Sequence, residues 1–169
     1  MVGVYVGSTA GYSGKNLIAM SLGLKFQKDN LSVAYMKPVG AVPREIEGKL
    51  RDEDAHFVQK ILKIEAEPDL LTPVLVTQDF KVKAFSGQCA DLMPAIKSAY
   101  AKVSSGKDVT IVAGSGSMYS GKYCKVDGVS VVKDLGIKCV IIDRFDNELK
   151  YDYLLAMKEA LGDQLLGVI

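Results

Sequence analysis

A glycine-rich loop lies between a strand-like run and a helix-like run at the start of the chain. The apolar run Val2–Val6 precedes the loop Gly7–Asn16, and the apolar run Leu17–Phe26 follows it. Glycines let backbone N–H groups turn towards an anion, the helix N-terminus contributes the positive end of its dipole, and Lys15 supplies a point charge. The order of strand, glycine loop, lysine and helix therefore predicts a phosphate-binding loop.

The loop departs from the standard phosphate-binding pattern at two positions. The pattern has glycine where this chain has Thr9, and it has Ser or Thr after the lysine, to hold Mg²⁺, where this chain has Asn16. A tight connector between a strand and a helix is the alternative interpretation. We favour phosphate binding, because the strand, the Gly14-Lys15 pair and the helix coincide.

Composition and charge limit the class of protein. The 169 residues are 49% apolar and 24% charged, which is typical of one globular domain, here residues 1–169. The 21 basic and 20 acidic side chains create no net field that would collect nucleic acid or an anionic membrane. There is no leader-like N-terminus, and no apolar run approaches the roughly 20 residues that span a bilayer. We therefore predict a cytoplasmic protein with neither nucleic acid nor membrane as a partner.

The cysteines and the histidine limit the chemistry. Cys89, Cys124 and Cys139 include no C-x-x-C pair, which predicts reduced thiols, with Cys139 in the core. His56 is the only histidine, which argues against a histidine-based metal site or a Ser-His-Asp relay. We expect His56 to face solvent on a helix.

Strand and helix patterns alternate along the chain. Short apolar runs predict strands at Val2–Val6, Leu31–Met36, Asp108–Ala113, Lys138–Ile142 and Leu165–Ile169. Apolar residues at helical spacing predict helices at Asn16–Lys28, Asp52–Ile64, Leu92–Val103, Asp127–Leu135 and Leu149–Leu161. We expect a loop at Ala41–Leu50, whereas Leu70–Val76 is compatible with a short strand, a lid segment or a buried loop. The alternation predicts an α/β fold with a mostly parallel central sheet.

A second glycine-serine loop, Gly114–Tyr123, follows the strand Asp108–Ala113. Ligands of open parallel sheets bind beyond the carboxyl ends of the strands, so we expect both glycine loops at the same edge. The second loop repeats the Tyr-Ser-Gly-Lys sequence of the first, but no apolar helix begins at Tyr123. We interpret the repeat as coincidence.

Four features together resemble the dethiobiotin synthetase and cobyrinic acid a,c-diamide synthase group of P-loop proteins. They are the loop Gly7–Lys15 after an N-terminal strand, Lys37-Pro38-Val39 at a strand end, the acidic helix start Asp54-Ala55, and the second loop after Asp108–Ala113. The likeness is strongest to the dethiobiotin-synthetase-like domain at the N-terminus of some phosphotransacetylase-family proteins. It extends over nearly the whole chain and implies the three-layer P-loop NTPase fold.

The resemblance implies ATP and Mg²⁺ as cofactors. Lys15 would contact the phosphates and Lys37 would face the substrate, which makes Lys15 and Lys37 the candidate catalytic residues. Asn16 and Asp54 are the candidate metal ligands. Such enzymes phosphorylate a carboxylate or carbamate so that an amine can displace the phosphate, and many are dimers, which implies a small carboxylate or amine substrate and a homodimer. The nucleotide would contact the loop residues Thr9, Ala10, Gly11, Tyr12, Ser13, Gly14, Lys15 and Asn16.

Three departures from the family pattern bear on activity. Ala113-Gly114 stands where the family has Glu-Gly, which removes a metal-binding carboxylate, and Asn16 replaces a hydroxyl ligand. The family's last strand continues into a turn that reads adenine, whereas this chain ends at Ile169, so we expect a domain truncated at that end. We therefore expect a nucleotide-binding P-loop domain whose catalytic activity the sequence leaves open. The alternatives are an ATP-dependent ligase of the dethiobiotin synthetase type and a structural domain without a ligand.

Overall fold

The computed structural model describes residues 2–169, and strands and helices alternate along most of them. Two 3₁₀ turns, Lys122–Cys124 and Gly162–Gln164, lie in the second half of the chain. The strands are β1 (Val2–Ser8), β2 (Val33–Met36), β3 (Val39–Gly40), β4 (Pro43–Ile46), β5 (Lys49–Asp52), β6 (Val74–Leu75), β7 (Val109–Ala113), β8 (Lys138–Ile142) and β9 (Leu165–Val168). The helices are α1 (Lys15–Lys28), α2 (Glu53–Leu62), α3 (Pro68–Leu71), α4 (Gln78–Phe85), α5 (Met93–Ser104), α6 (Gly128–Leu135) and α7 (Glu148–Leu161).

Five parallel strands form the central sheet in the order β2-β7-β1-β8-β9. The first strand of the chain lies at its centre, where Val4 pairs with Ile111 of β7 on one side and with Lys138 of β8 on the other. Because all five strands run in one direction, the loops that follow β1 and β7 leave the sheet at the same edge. The predicted α/β fold with a mostly parallel sheet is confirmed.

Neighbouring residues of the inner strands face opposite sides of the sheet, as the twofold periodicity of a strand requires. On one face, Val6, Tyr35 and Ile111 pack with Ala19 of α1 and Val58 of α2. The strand residues that face the other side of the sheet pack against α5, α6 and α7. They include Tyr5, Met36, Val112 and Ile141. The sheet is thus the middle of three layers, which is why its strands read as continuous apolar runs in the sequence.

The segment Ala41–Leu50, predicted to be a loop, is largely a β-hairpin. Strands β4 and β5 pair antiparallel, and both residues of their turn, Glu47 and Gly48, have positive φ, at 54° and 71°. Such a turn matches the twist of a tight hairpin. The prediction was wrong because these short strands are polar and mostly exposed, and so show no apolar alternation. The hairpin places Asp52 immediately before α2.

The weakly patterned stretch after α2 contains three short elements. The open interpretation of Leu70–Val76 resolves into the end of α3 followed by β6, which pairs in parallel with β3 through Val39 and Val74. The sequence also did not predict α4, none of whose residues is buried. Its contact with the core is limited to the partly buried Phe80 and Ala84, which is too short an apolar repeat to predict a helix.

Two predictions about the cysteines and the histidine need correction. Cys89 and Cys124, predicted to be reduced, form a disulfide across 35 positions of sequence, because α4, which precedes Cys89, lies against the 3₁₀ turn that carries Cys124. Cys139 is a free, buried thiol, as predicted. His56, predicted to face solvent, is partly buried, and both of its ring nitrogens are shielded from solvent. Between residues 2 and 169, every helix is too short or too polar to cross a bilayer.

Candidate nucleotide-binding site

The two glycine loops meet at the carboxyl edge of the sheet. The backbone N–H of Met118 donates to the carbonyl of Ser8 at 2.9 Å, and the N–H of Gly114 donates to the carbonyl of Val6 at 2.9 Å. This arrangement confirms that both loops share one edge. Between them lies a cleft of about 580 Å³, whose walls include Gly11–Leu17, Lys37, Ala41, Val42, Asp54 and Gly114–Gly116.

Lys15 is buried at the base of the first loop and donates only to neutral oxygens. Its Nζ lies 2.8 Å from Ser8 Oγ, 2.7 Å from the Gly116 carbonyl and 3.3 Å from the Ala10 carbonyl. None of the salt bridges within residues 2–169 includes Lys15. Burial, aided by the nearby charge of Lys37 and opposed by Asp54, lowers the pKa of Lys15 from 10.5 to about 8. The ammonium is therefore a cation without a paired anion.

The backbone of the loop is shaped to leave its amides open. Gly14 precedes α1 with φ at 91°, a conformation that favours glycine. A Cβ at Gly11 or Gly14 would meet no atom within 4 Å, so both positions face open space. The first N–H groups of α1 have no acceptor within the helix. The residues that carry them, Lys15 to Leu17, line the cleft and can bind an anion there.

Other loop side chains stabilise the loop itself. Ser13 Oγ donates to the Ala10 carbonyl at 3.0 Å, and the buried Thr9 hydroxyl donates to the Asp143 carboxylate after β8. The Tyr12 side chain is fully exposed, and its φ of 57° is unusual for a residue other than glycine. The sequence did not identify Asp143, which lies 134 positions from Thr9.

Ser8 is a second site residue that the sequence reasoning missed. Its Oγ accepts from Lys15 and lies 2.5 Å from the Ala10 carbonyl and 3.0 Å from the Gly116 carbonyl, to which it can donate. It thereby joins the two loops. Ser8 directly precedes the loop residues proposed to contact nucleotide, and its position at the end of a buried strand was the available signal.

Lys37 directly follows β2 and lies buried between two carboxylates. Its Nζ donates to Asp52 Oδ1 at 2.8 Å and to Asp54 Oδ2 at 2.9 Å, and its side chain is 2% exposed. Asp52 also accepts from the backbone N–H groups of Ala55 and Val42, at 2.9 Å and 3.0 Å, so it caps α2 and fixes the hairpin to that helix. The charge of Lys37 is therefore neutralised within the protein.

The two candidate metal ligands lie together in the cleft. The Asn16 amide lies beside the Asp54 carboxylate. Burial alone would raise the pKa of Asp54, but the hydrogen bond and charge of Lys37, the Asn16 amide and the charge of Lys15 outweigh it and lower the pKa. Asp54 is therefore an ionised carboxylate that Lys37 also contacts.

The wall of the cleft supplies few other metal ligands. Ala113, buried at the end of β7, offers no carboxylate. Within residues 2–169, no cluster of three or more His, Cys, Asp or Glu side chains could hold a metal ion. Mg²⁺ in nucleotide sites uses one or two carboxylates with water and substrate phosphates. The donor set fits an ion that arrives with a nucleotide and does not form an all-protein metal site.

A second cavity of about 350 Å³ adjoins the cleft. It shares Ala41 and Ser115 with the cleft, and its walls are mostly apolar or aromatic. They include Val39 and Val76 of the β3–β6 pair, Phe80 of α4, and Tyr119 of the second loop.

The order of the elements and the loop geometry agree with a known protein family. The family model described as "AAA domain" (AAA_26) matches residues 2–169. The chain belongs to this family. The family consists of P-loop NTPases and includes dethiobiotin synthetase. The chain is therefore a P-loop nucleotide-binding domain.

Solved structures with the same fold include FtsY proteins from two organisms, the first of which is described as a signal recognition particle receptor. FtsY from Elizabethkingia anophelis in complex with GDP has a TM-score of 0.56 and 11% identity, over 94% of this chain and 45% of that chain. Chloroplast FtsY from Physcomitrella patens has a TM-score of 0.54 and 13% identity, over 99% of this chain and 48% of that chain. The present chain thus spans less than half the length of these two FtsY chains. The likeness supports the predicted P-loop NTPase fold.

Proposed function

We propose that the domain binds ATP with its phosphates in the loop Gly7–Asn16. The observation that carries the proposal is the buried ammonium of Lys15, which contacts three neutral oxygens and has no paired carboxylate. A buried charge without a counter-ion is costly, and a phosphate at the loop removes that cost. The open N–H groups at the start of α1 and the helix dipole favour an anion at the same place.

The choice of ATP rests on the resemblance to the dethiobiotin synthetase group. GTP is its competitor, because one FtsY structure of the same fold contains GDP. Asn16 and Asp54 would hold the Mg²⁺ that accompanies the nucleotide. That ion would neutralise charge on the β- and γ-phosphates.

We also propose that Lys37 faces the substrate, where its pairing with two carboxylates limits what it can bind. It lines the cleft, but a substrate oxyanion would compete for its ammonium with Asp52 and Asp54. Together with Ala113 in place of a glutamate, this pairing favours nucleotide binding over efficient phosphoryl transfer.

Calorimetric titration with Mg·ATP and Mg·GTP tests the proposal. We expect the wild type to bind Mg·ATP, and Lys15→Ala to lose at least about tenfold in affinity, because one charge-assisted contact is removed. Lys122→Ala is the matched control, because Lys122 ends the second Tyr-Ser-Gly-Lys sequence but is exposed and lies outside the cleft. Absence of binding to the wild type, or equal losses in both variants, would contradict the proposal. Tighter binding of Mg·GTP would overturn the choice of base.

A second candidate function is ATP-dependent ligation of the dethiobiotin synthetase type. The apolar cavity beside the cleft favours it, because a substrate with an apolar body can lie there with its polar end at Ser115. In such a reaction, a carbamate or carboxylate oxygen attacks the γ-phosphorus, ADP leaves, and an amine then displaces phosphate. ADP formation that depends on 7,8-diaminopelargonate and bicarbonate would support this function, and ATP binding without such turnover would exclude it. The homodimer and the cytoplasmic location stay predictions.

A further inference from the structure

Helix α4 forms one wall of the apolar cavity beside the nucleotide cleft, but few non-covalent contacts hold it there. Phe80 lines the cavity, and only Phe80 and Ala84 of this helix pack against the core, where both are partly buried. In the described part of the chain, every hydrogen bond of residues 78–90 has its partner within residues 77–90, and no salt bridge includes residues 78–90. This segment is therefore weakly attached to the rest of the fold by non-covalent contacts.

A short turn that also lines the cavity holds the segment through a disulfide and an aromatic contact. Cys89 is bonded to Cys124, and the rings of Phe85 and Tyr123 lie with their centroids 5.0 Å apart. Tyr123 and Cys124 belong to the 3₁₀ turn Lys122–Cys124, and both line the cavity. Because both rings are exposed, the aromatic contact buries little apolar surface. The disulfide is therefore the main attachment between α4 and this turn.

The central sheet and the helices that cover it do not carry this disulfide. Cys89 and Cys124 lie outside the five sheet strands and outside α1, α2, α5, α6 and α7. Segments at the periphery of a fold can open while its core stays folded. We therefore expect reduction of the disulfide to release residues 78–90 locally and to leave the sheet intact.

The two bonded cysteines differ in exposure. Cys124 is 6% exposed, whereas Cys89 is partly exposed and lies between the exposed residues Gln88 and Ala90. A thiolate of a dithiol reductant therefore attacks the sulfur of Cys89, because exchange requires access to the attacked sulfur. The bond between the two cysteines breaks, and Cys124 leaves as a thiolate that takes up a proton. The second thiol of the reductant then displaces Cys89 as a thiol and closes the reductant's own disulfide, so two electrons and two protons pass to the protein.

We propose that the Cys89–Cys124 disulfide is a redox switch that fastens α4 to the wall of the apolar cavity when oxidised and releases it when a dithiol reduces the pair. Disulfides in the cytoplasm, the location predicted from the sequence, are usually transient and redox-sensing or catalytic. Release removes Phe80 from the wall, whereas Val39 and Val126 stay in place. The reduced domain then has an open apolar groove where the oxidised domain has a walled cavity.

Hydrogen exchange of the whole chain, followed by mass spectrometry, tests the proposal. Dithiothreitol is expected to raise the exchange rate of the amides of residues 78–90 at least about tenfold and to leave the exchange of β1 and β7 unchanged. Reoxidation with oxidised dithiothreitol is expected to restore the slow exchange. Unchanged exchange in residues 78–90 would mean that the disulfide does not hold α4. Faster exchange in the central strands as well would mean that it is a staple of the whole fold, and either result would overturn the proposal.

A glutathione titration distinguishes a switch from a permanent link. Alkylation of the unfolded chain counts the free thiols, which are Cys139 alone in the oxidised protein and all three cysteines in the reduced protein. We expect the count to rise from one to three as the ratio of reduced to oxidised glutathione increases. A count that stays at one in a large excess of reduced glutathione would contradict a switch.

Matched variants locate the switch. Cys89→Ser is expected to show fast exchange of residues 78–90 both with and without dithiothreitol, because it cannot form the disulfide. Cys139→Ala is the control, because Cys139 is a free thiol buried in β8, and it is expected to respond to dithiothreitol as the wild type does. A Cys89→Ser variant whose exchange still depends on the reductant would show that the response arises elsewhere and would overturn the proposal.

Discussion

Two lysines lie buried beside the nucleotide cleft, and their surroundings differ. Lys15 contacts three neutral oxygens, whereas Lys37 contacts two carboxylates. The first charge is available to an incoming anion, while the second already has its partners. The loop pattern was sufficient to identify Lys15 from the sequence. The pairing of Lys37 with Asp52 could not be read from the sequence, because it depends on a hairpin that has no apolar signature.

Nucleotide binding at pH 8 should take up protons. Burial lowers the pKa of Lys15 to about 8. At pH 8, Lys15 is therefore protonated in only about half of the free protein molecules. Bound phosphate raises the pKa again, so about half a proton enters per nucleotide and affinity falls as the pH rises above 8. Calorimetric titrations in two buffers of different ionisation enthalpy measure the uptake. Binding heats that do not depend on the buffer, or that indicate proton release, would be inconsistent with a cationic Lys15 on the phosphates.

Asp52→Asn should destabilise the fold strongly. Asparagine is as good a helix cap as aspartate, so the substitution chiefly removes the negative charge that faces Lys37. Lys37 keeps Asp54 as a partner, so the expected cost is that of one lost buried contact between charged groups, about 1.5–3 kcal/mol. Urea unfolding measures the change in the free energy of unfolding. Glu53→Gln is the control, because Glu53 pairs with Arg44 in an exposed ion pair and its loss should cost at most about 1 kcal/mol. Equal losses in the two variants would show that Lys37 does not depend on Asp52.

At the scale of elements, helix α2 connects the site to the core. Its N-terminal end carries Asp54 and is capped by Asp52, and its apolar face packs on the sheet beside α1. The two helices approach closely where Gly23 of α1 meets Leu62 of α2. The sequence predicted both helices within a few residues, because their buried faces repeat at helical spacing. The sequence did not predict the contact between the two helices. A single glycine inside a helical pattern is usually interpreted only as a loss of helix stability, and it does not by itself indicate close packing.

Gly23→Ala should destabilise the protein even though alanine favours helices. Alanine contributes about 1 kcal/mol of helix propensity over glycine. However, its Cβ would lie 2.6 Å from Leu62 Cδ2, and Leu62 is buried on all sides, so overpacking of about 1–3 kcal/mol outweighs the gain. Thermal or urea unfolding measures the sign. Ser21→Ala, at an exposed position of the same helix, should be neutral or slightly stabilising.

A double substitution separates the Gly23–Leu62 contact from a general helix effect. Leu62→Ala alone should cost about 2–5 kcal/mol because it leaves a cavity. In the double variant, the methyl group added at residue 23 occupies part of that space, so the combined loss should be smaller than the sum of the two single losses. Strict additivity would show that the two side chains do not meet.

At the scale of the whole molecule, the buried parts of the fold could be predicted and the polar connections could not. The inner strands are covered on both faces, so their sequences are continuous apolar runs, and the loops at their carboxyl ends follow from the parallel sheet. By contrast, two polar connections join segments that are far apart in sequence. They are the hydrogen bond between Thr9 and Asp143 and the disulfide between Cys89 and Cys124. Single polar residues at such distances carry no periodic signal.

A crystal structure with Mg²⁺ and a non-hydrolysable ATP analogue is the most direct test of nucleotide binding. We expect the analogue's phosphates in the loop Gly7–Asn16, with Lys15 Nζ moved from the Gly116 carbonyl to a phosphate oxygen and the first N–H groups of α1 donating to the same group. An analogue bound elsewhere, with Lys15 still bonded to Ser8 and Gly116, would contradict the assignment of this loop as the phosphate site.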